Sequence, residues 1–346
     1  CHADKDAQWA DKLVREWRPR DYQAPLLKRA ALIDSARKRD GSKLPEMLTY
    51  IQSRDRDEVF AASLIRLLMA TEDPRITPVL LAAMKDSSPL VRAAGAEALG
   101  LRKTQETLQA LVEAAGDDYR LVRVRAAASL GDYPGILSAG KYGEQLKKAG
   151  EELLASLSSR PDQWTSHYNM GNYHLVRGQL KEAAASYETA LKLEPGAVMA
   201  TVNASFAHAR MGQNDKAEQF LKKALKTSPE SAAANFNMGL LKAEQKDMKA
   251  AERHLKKALK NDPLMAQAAF NLCVMLSKDR LSEAIGFCRK ASDLRPENPQ
   301  YAYTLAFYLH QEGRTDEAIS TLKATLEKHP EYRDAQMFLR KISRKE

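Results

Sequence analysis

Little in this chain of 346 residues points to reaction chemistry. Its three cysteines, Cys1, Cys273 and Cys288, lack the paired close spacings of a metal site. No glycine-rich loop of the phosphate-cradling kind occurs, no nucleophile stands with a base, and no carboxylate pair is singled out by spacing. The seven histidines form no ligand motif. These gaps speak against an enzyme. No segment is long and apolar enough to cross a membrane as a helix. No leader of the secretory type is visible, although the chain starts at a cysteine, as a processed or truncated chain does. With 44% hydrophobic residues it can still bury a large core, one spread along a line.

What the chain has is repetition. Pro195, Pro229 and Pro263 are 34 residues apart, and Pro296 and Pro330 repeat that interval. Ahead of them, at constant offsets, stand Ala183, Tyr187 and Ala190, then Ala217, Leu221 and Ala224, then Ala251, Leu255 and Ala258. Gly171, Ser205 and Gly239 supply small residues upstream, again 34 apart. Small residues let two helices approach, the bulky residue fills the layer, and proline stops the second helix. A fixed period of this length means one helix pair copied in tandem. The pattern resembles the tetratricopeptide repeat over about half the chain. Five units are expected, 164–197, 198–231, 232–265, a one-residue-short 266–298, and 299–332. Residues 333–344 then read as a capping helix with a polar outer face.

A second period, near 31, precedes the first. Val91-Arg92-Ala93-Ala94 with Leu99-Gly100 recurs as Val122-Arg123-Val124-Arg125 with Leu130-Gly131, and more weakly as Phe60-Ala61-Ala62-Ser63 with Leu68. Asp86-Ser87-Ser88-Pro89 opens the second helix of its unit. These short pairs resemble HEAT repeats. Gly131, Pro134, Gly135, Gly140 and Gly143 break the pattern. The expected fold is therefore all-α: a right-handed α-solenoid of HEAT-like repeats, then five tetratricopeptide repeats and a cap, without strands of consequence. Its parts are a helical N-terminal segment (1–41), HEAT-like repeats (42–135), a connecting helix (136–163), the five repeats (164–332) and the cap (333–346).

In tetratricopeptide proteins the first helix of each unit lines the concave side, so the resemblance implies a groove. Asn169, Asn203, Asn237 and Asn271 share one register position there, and only Thr304 departs. They resemble the asparagine ladder of some superhelical repeat proteins, whose amides donate to and accept from the backbone of an extended peptide. Asparagines that bond only between neighbouring helices are the alternative. Beside them run Tyr168, Phe236, Phe270 and Tyr303, then Phe206, Leu240, Val274 and Phe307. An apolar stripe at such positions marks a partner site. The charges that clamp a terminal carboxylate in chaperone-binding members are absent. The groove thus suits a hydrophobic or extended segment, from another protein or from the same polypeptide.

The N-terminus stands apart. Cys1-His2-Ala3-Asp4-Lys5, with Trp9-Ala10, resembles the last haem motif of multihaem c-type cytochromes that carry HEAT and tetratricopeptide repeats behind their haem domain. That resemblance spans about ten residues. It implies that Cys1 forms a thioether to haem c and that His2 ligates its iron. It also implies a periplasmic or extracellular place, with electron transfer confined to the haem part. The first cysteine of the Cys-x-x-Cys-His motif is not in the sequence. Two other readings stay open: Cys1 as the acylated start of an envelope lipoprotein, and an arbitrary chain start. Trp9, Ala10, Leu13, Val14 and Trp17 form an apolar helical stripe at once, unlike a lipoprotein tether.

The formal net charge is +9, with basic clusters at Arg15, Arg18, Arg20, Lys28-Arg29 and Arg37-Lys38-Arg39. Acids interrupt every cluster, and no aromatic-and-basic platform for single strands appears, so an acidic protein partner fits better than nucleic acid. Cys273 and Cys288 fall on facing helices of one repeat as packing residues, and whether they are bonded is left open. His174 and His208 hold equivalent packing positions. The function expected is a non-catalytic scaffold, the repeat region of an exported multihaem cytochrome that docks redox partners, other subunits or its own haem domain. The alternatives are a free-standing tetratricopeptide scaffold or envelope lipoprotein that assembles a complex and, third, a nucleic-acid-binding HEAT solenoid.

Overall fold

The structure, a computed structural model, describes residues 4–17, 23–131, 133 and 143–343. Twenty α-helices and one 3-10 turn, Gly41–Lys43, make up the secondary structure of these residues, without a strand. They divide into two compact units, Cys1–Pro161 and Asp162–Glu346.

The first unit holds α1 (Ala7–Trp17), α2 (Ala24–Arg37), α3 (Leu44–Gln52), α4 (Glu58–Leu67), α5 (Ile76–Ala83), α6 (Pro89–Leu99), α7 (Gln105–Ala114), α8 (Arg120–Leu130) and α9 (Gly143–Ser158). Local chemistry starts these helices where the sequence permits. Asp57 accepts the backbone N–H groups of Val59 and Phe60 at the start of α4. Pro89 opens α6, and Thr104 closes a capping box on α7. Val91, Ala94, Ala98 and Leu99 of α6 and Val122, Ala126 and Leu130 of α8 are fully buried, and their small side chains bring the two helices together.

An arginine ladder locks successive pairs. Arg92 donates to both carboxylate oxygens of Asp117, at 2.8 and 3.0 Å, and to the carbonyls of Asp86 and Ser87. Arg123 grips Glu152 of α9 in the same way, at 2.8 and 2.6 Å, and the carbonyls of Asp117 and Asp118. Arg56 pairs with Asp86 one step earlier. The Arg123 guanidinium holds the Glu152 carboxyl below its ordinary range. Such two-pronged, largely buried pairs fix the loops between helices. α2 packs on α4 and α9 packs on α8, so both flanking helices share the first unit with the HEAT-like pairs. Gly131 follows α8 and Gly143 begins α9, while Pro134, Gly135 and Gly140 lie outside the described residues.

The second unit contains five helix pairs: α10 (Trp164–Val176) with α11 (Leu180–Leu193), α12 (Val198–Arg210) with α13 (Asn214–Thr227), α14 (Ala232–Glu244) with α15 (Met248–Asn261), α16 (Ala266–Leu276) with α17 (Leu281–Leu294), and α18 (Pro299–Gln311) with α19 (Thr315–Lys328). Each proline of the 34-residue series stands two residues beyond the second helix of its pair, where it cannot continue the helix. The small residues act by close approach. A Cβ on Gly171 would stand 2.4 Å from the Tyr187 ring, and one on Gly239 would stand 2.7 Å from Leu255. α20 (Arg333–Ser343) covers the last pair with Ala335, Phe338 and Ile342, which join Leu305, Leu309 and Leu322 in one cluster.

Candidate partner-binding site

The five first helices of the second unit are almost free of charge. Among their aspartates, glutamates, lysines and arginines only Arg210, Lys242 and Glu244 occur, whereas every second helix is rich in charged residues. Desolvating such a face against another chain meets little Born cost.

The four register-matched asparagines meet three fates. The Asn203 amide donates to Asn172 Oδ1 at 3.0 Å and approaches the Tyr168 hydroxyl at 3.4 Å. The buried Tyr187 hydroxyl donates to the same Asn172 oxygen at 2.8 Å. Burial pushes the Tyr187 phenol up, so it stays a donor. Asn203 therefore joins neighbouring repeats. Asn271 turns to the Gln267 carbonyl of its own helix, 2.8 Å away. Asn169 is exposed and Asn237 half-buried, and neither amide has a hydrogen-bond partner among the described residues. Thr304 bonds back to the Gln300 carbonyl.

The apolar residues divide as well. Tyr168, Phe236, Phe270 and Tyr303 are half-buried and pack into the layers between helices. Phe270 stacks on Tyr301 at 4.5 Å, and Tyr303 meets Tyr332 and Phe338 edge-on. One turn further on, Phe206, Val274 and Phe307 are 39%, 46% and 44% exposed. The outward apolar row is thus this second one.

Phe206 and Asn237 come together in one cavity of about 390 Å³. α12 contributes Ser205, Phe206, Ala209 and Arg210, and α13 contributes Ala217 and Leu221. α14 closes it with Asn237, Leu240, Leu241 and Glu244. The Arg210 guanidinium lies 5.9 Å from the Phe206 ring centre. The cavity offers apolar walls, one open amide and one charge of each sign, enough to seat a side chain and hold its backbone. Arg210 and Glu244 escaped the sequence reading, although they lie 34 residues apart, seven beyond Asn203 and Asn237. Asn172 was missed because it occupies the register of Phe206.

Cys273 and Cys288 form a disulfide between α16 and α17, with Cα atoms 5.1 Å apart and both residues fully buried. His208 is buried with Nδ1 facing Gln213 at 2.7 Å and Nε2 facing Glu188 at 3.0 Å, its ring stacked on Phe220. His174 meets Gln179 likewise. No group of three or more His, Cys, Asp or Glu among the described residues is arranged to hold a metal ion. Cys1 and His2 lie outside the described residues.

A HEAT-repeat family model matches residues 44–131. Tetratricopeptide-repeat models match 141–198, 168–232, 206–252, 236–299 and 275–342. No curated protein matches. Among solved structures, a crystal structure of MamA is 22% identical and covers 50% of this chain and 93% of its own, with a TM-score of 0.42. MamA from Desulfovibrio magneticus RS-1 is 22% identical, covers 49% and 96%, and has the same score, 0.42. YrrB, described as a TPR protein with an unusual peptide-binding site, is 18% identical, covers 53% and 95%, and scores 0.41.

Proposed function

For a chain that belongs to the tetratricopeptide-repeat proteins and carries HEAT repeats ahead of that array, we propose a non-catalytic interaction scaffold whose charge-poor first-helix face holds an extended partner segment. The observation that carries this reading is the cavity between α12 and α14, where the exposed Phe206 ring and the open Asn237 amide meet. An apolar side chain of the partner enters beside Phe206 and Leu240, and the Asn237 amide bonds its backbone. Selection of displayed random peptides on the protein tests this. Wild type should enrich charge-poor sequences with an apolar anchor, and Phe206→Ala or Asn237→Ala should each weaken them about tenfold or more at unchanged thermal stability. Enriched peptides that bind both variants as well as wild type would place the binding surface elsewhere.

A finer reading makes the chain the repeat region of an exported multihaem c-type cytochrome. Its support is the Cys1-His2 pair, and the buried Cys273–Cys288 disulfide supports an oxidising compartment. No electron-transfer step is assigned to this chain. A reduced-minus-oxidised spectrum of protein from its natural source decides. Sharp c-type bands that survive acid–acetone extraction support it, and a featureless spectrum removes it.

A further inference from the structure

Ion pairs knit α15 to α17 and α17 to α19. Lys256 on α15 lies 2.8 Å from Glu283 on α17, and Arg289 on α17 lies 3.1 Å from Glu317 on α19. One repeat earlier the same register sets Lys222 of α13 against Ala250 of α15, with Lys249 beside it. That junction lacks its acid. Lys222 keeps only Glu218 of its own helix, which also binds Lys242.

The imbalance is local. α15 holds five basic residues and one acid, and α13 holds four and two. α11 and α17 hold two of each, and α19 two and three. The excess comes from one segment used twice, Leu-Lys-Lys-Ala-Leu-Lys, beginning at Leu221 and at Leu255. Its leucines and alanines turn into the core, with Leu221, Ala224, Leu255, Ala258 and Leu259 buried. Lys223, Lys226, Lys257 and Lys260 are all exposed, and none has an ion-pair partner among the described residues. The field reaches inward: burial, then the charges of Arg253, Lys257 and Lys242, hold the His254 imidazole below its ordinary value.

We propose that the face formed by α13 and α15 docks an acidic polypeptide segment rich in aspartate and glutamate. Charge complementarity carries the argument, because four unpaired lysines sit in one patch while the helices on either side balance their own charges. The patch is short. From Lys216 to Lys226 α13 rises about 15 Å, the span of roughly three helical turns. A membrane surface would gain from a basic face running the length of the array, and this one stops at α11 and α17. A nucleic-acid strand wants rings free to stack between the lysines, and the Phe220 ring is stacked on His208 instead. Phosphate recognition favours the arginine fork, and Arg253 is the one arginine on these two helices.

Fluorescence anisotropy with the whole chain tests the proposal. The probe is a labelled helical peptide of roughly fifteen glutamate and alanine residues, long enough to cross the patch. Wild type should bind it, less tightly as salt rises. Lys223→Glu with Lys257→Glu should weaken binding at least about tenfold. The control pair Lys181→Glu with Lys323→Glu, exposed on α11 and α19, changes net charge equally and should shift it less than about twofold. Coincident thermal melts show that all three proteins fold alike. Equal losses in both pairs would reduce the effect to bulk charge and overturn the proposal. So would undiminished binding by the patch variant, or a patch-dependent preference for phosphatidylglycerol vesicles or an oligonucleotide over the peptide.

Discussion

At the residue scale, register names the face of a helix but not the neighbour a side chain finds there. Asn203 and Asn237 share one position in successive units, yet Asn203 is held by Asn172 and Asn237 is open. The difference arises one turn away in the preceding repeat, where Asn172 stands before Asn203 and Phe206 before Asn237. A repeat consensus averages over such neighbours. The turn inside each pair shows the same sensitivity. Gly178, Gly212 and Gly313 take positive φ of 72, 73 and 87°, and Lys246 holds that place at 64°. A lysine there bears a Cβ clash that glycine avoids. Lys246→Gly should raise stability by about 0.5–1 kcal/mol, the left-handed cost less the extra freedom of an unfolded glycine. The denaturant midpoint of the isolated second unit reads this directly. A lower midpoint would mean that the lysine side chain contributes more than its backbone costs.

At the element scale, the 34-residue series was legible because proline, alanine and the small residues each act through backbone geometry, which repeats faithfully. The HEAT-like pairs were harder to see. α2 and α9 pack with that array, yet neither carries the Val-Arg pair of α6 and α8, and Glu152 supplies the acid of the ladder from outside it. The fourth pair of the second unit shows what sequence leaves open. Gly171 meets Tyr187 and Gly239 meets Leu255 across their helix pairs, and Cys273 meets Cys288 at the same level. A packing contact and a covalent bond look alike in register, since both need two helices at one distance. Replacing both cysteines by alanine should destabilise the second unit by about 3 kcal/mol, the value for a closed loop of roughly fifteen residues. Thiol titration of the unfolded, unreduced protein checks the bond itself. Thiol from both residues would show that they are free and withdraw the compartment argument with them.

At the scale of the whole molecule, each helix pair draws its stability from its neighbours, so folding is a property of a stretch of array rather than of one central core. The chain forms two such stretches, dividing at Pro161 and Asp162. The first is fastened by half-buried arginine–carboxylate pairs, Arg92 with Asp117 and Arg123 with Glu152. The second relies on alanine-lined helix contacts, on ion pairs such as Lys256 with Glu283, on the Cys273–Cys288 disulfide and on the α20 cap. Fastenings held within each stretch predict that each stretch folds by itself. Expressed separately, residues 4–161 and 162–343 should each be helical and unfold cooperatively, and their far-ultraviolet spectra should sum to that of the whole chain. Acid should weaken both fragments, since in the second Lys222 and Lys242 hold the Glu218 carboxyl down to about 2. The Glu152 carboxyl is held below its ordinary value by Arg123, so its contribution is complete above the unfolded value and fades as pH falls toward the folded one. Circular dichroism from neutral pH downward measures both fragments in one experiment. A first fragment that stays unfolded at neutral pH would show that its array needs the rest of the chain. One whose stability does not fall with pH would show that the arginine ladder adds little to it.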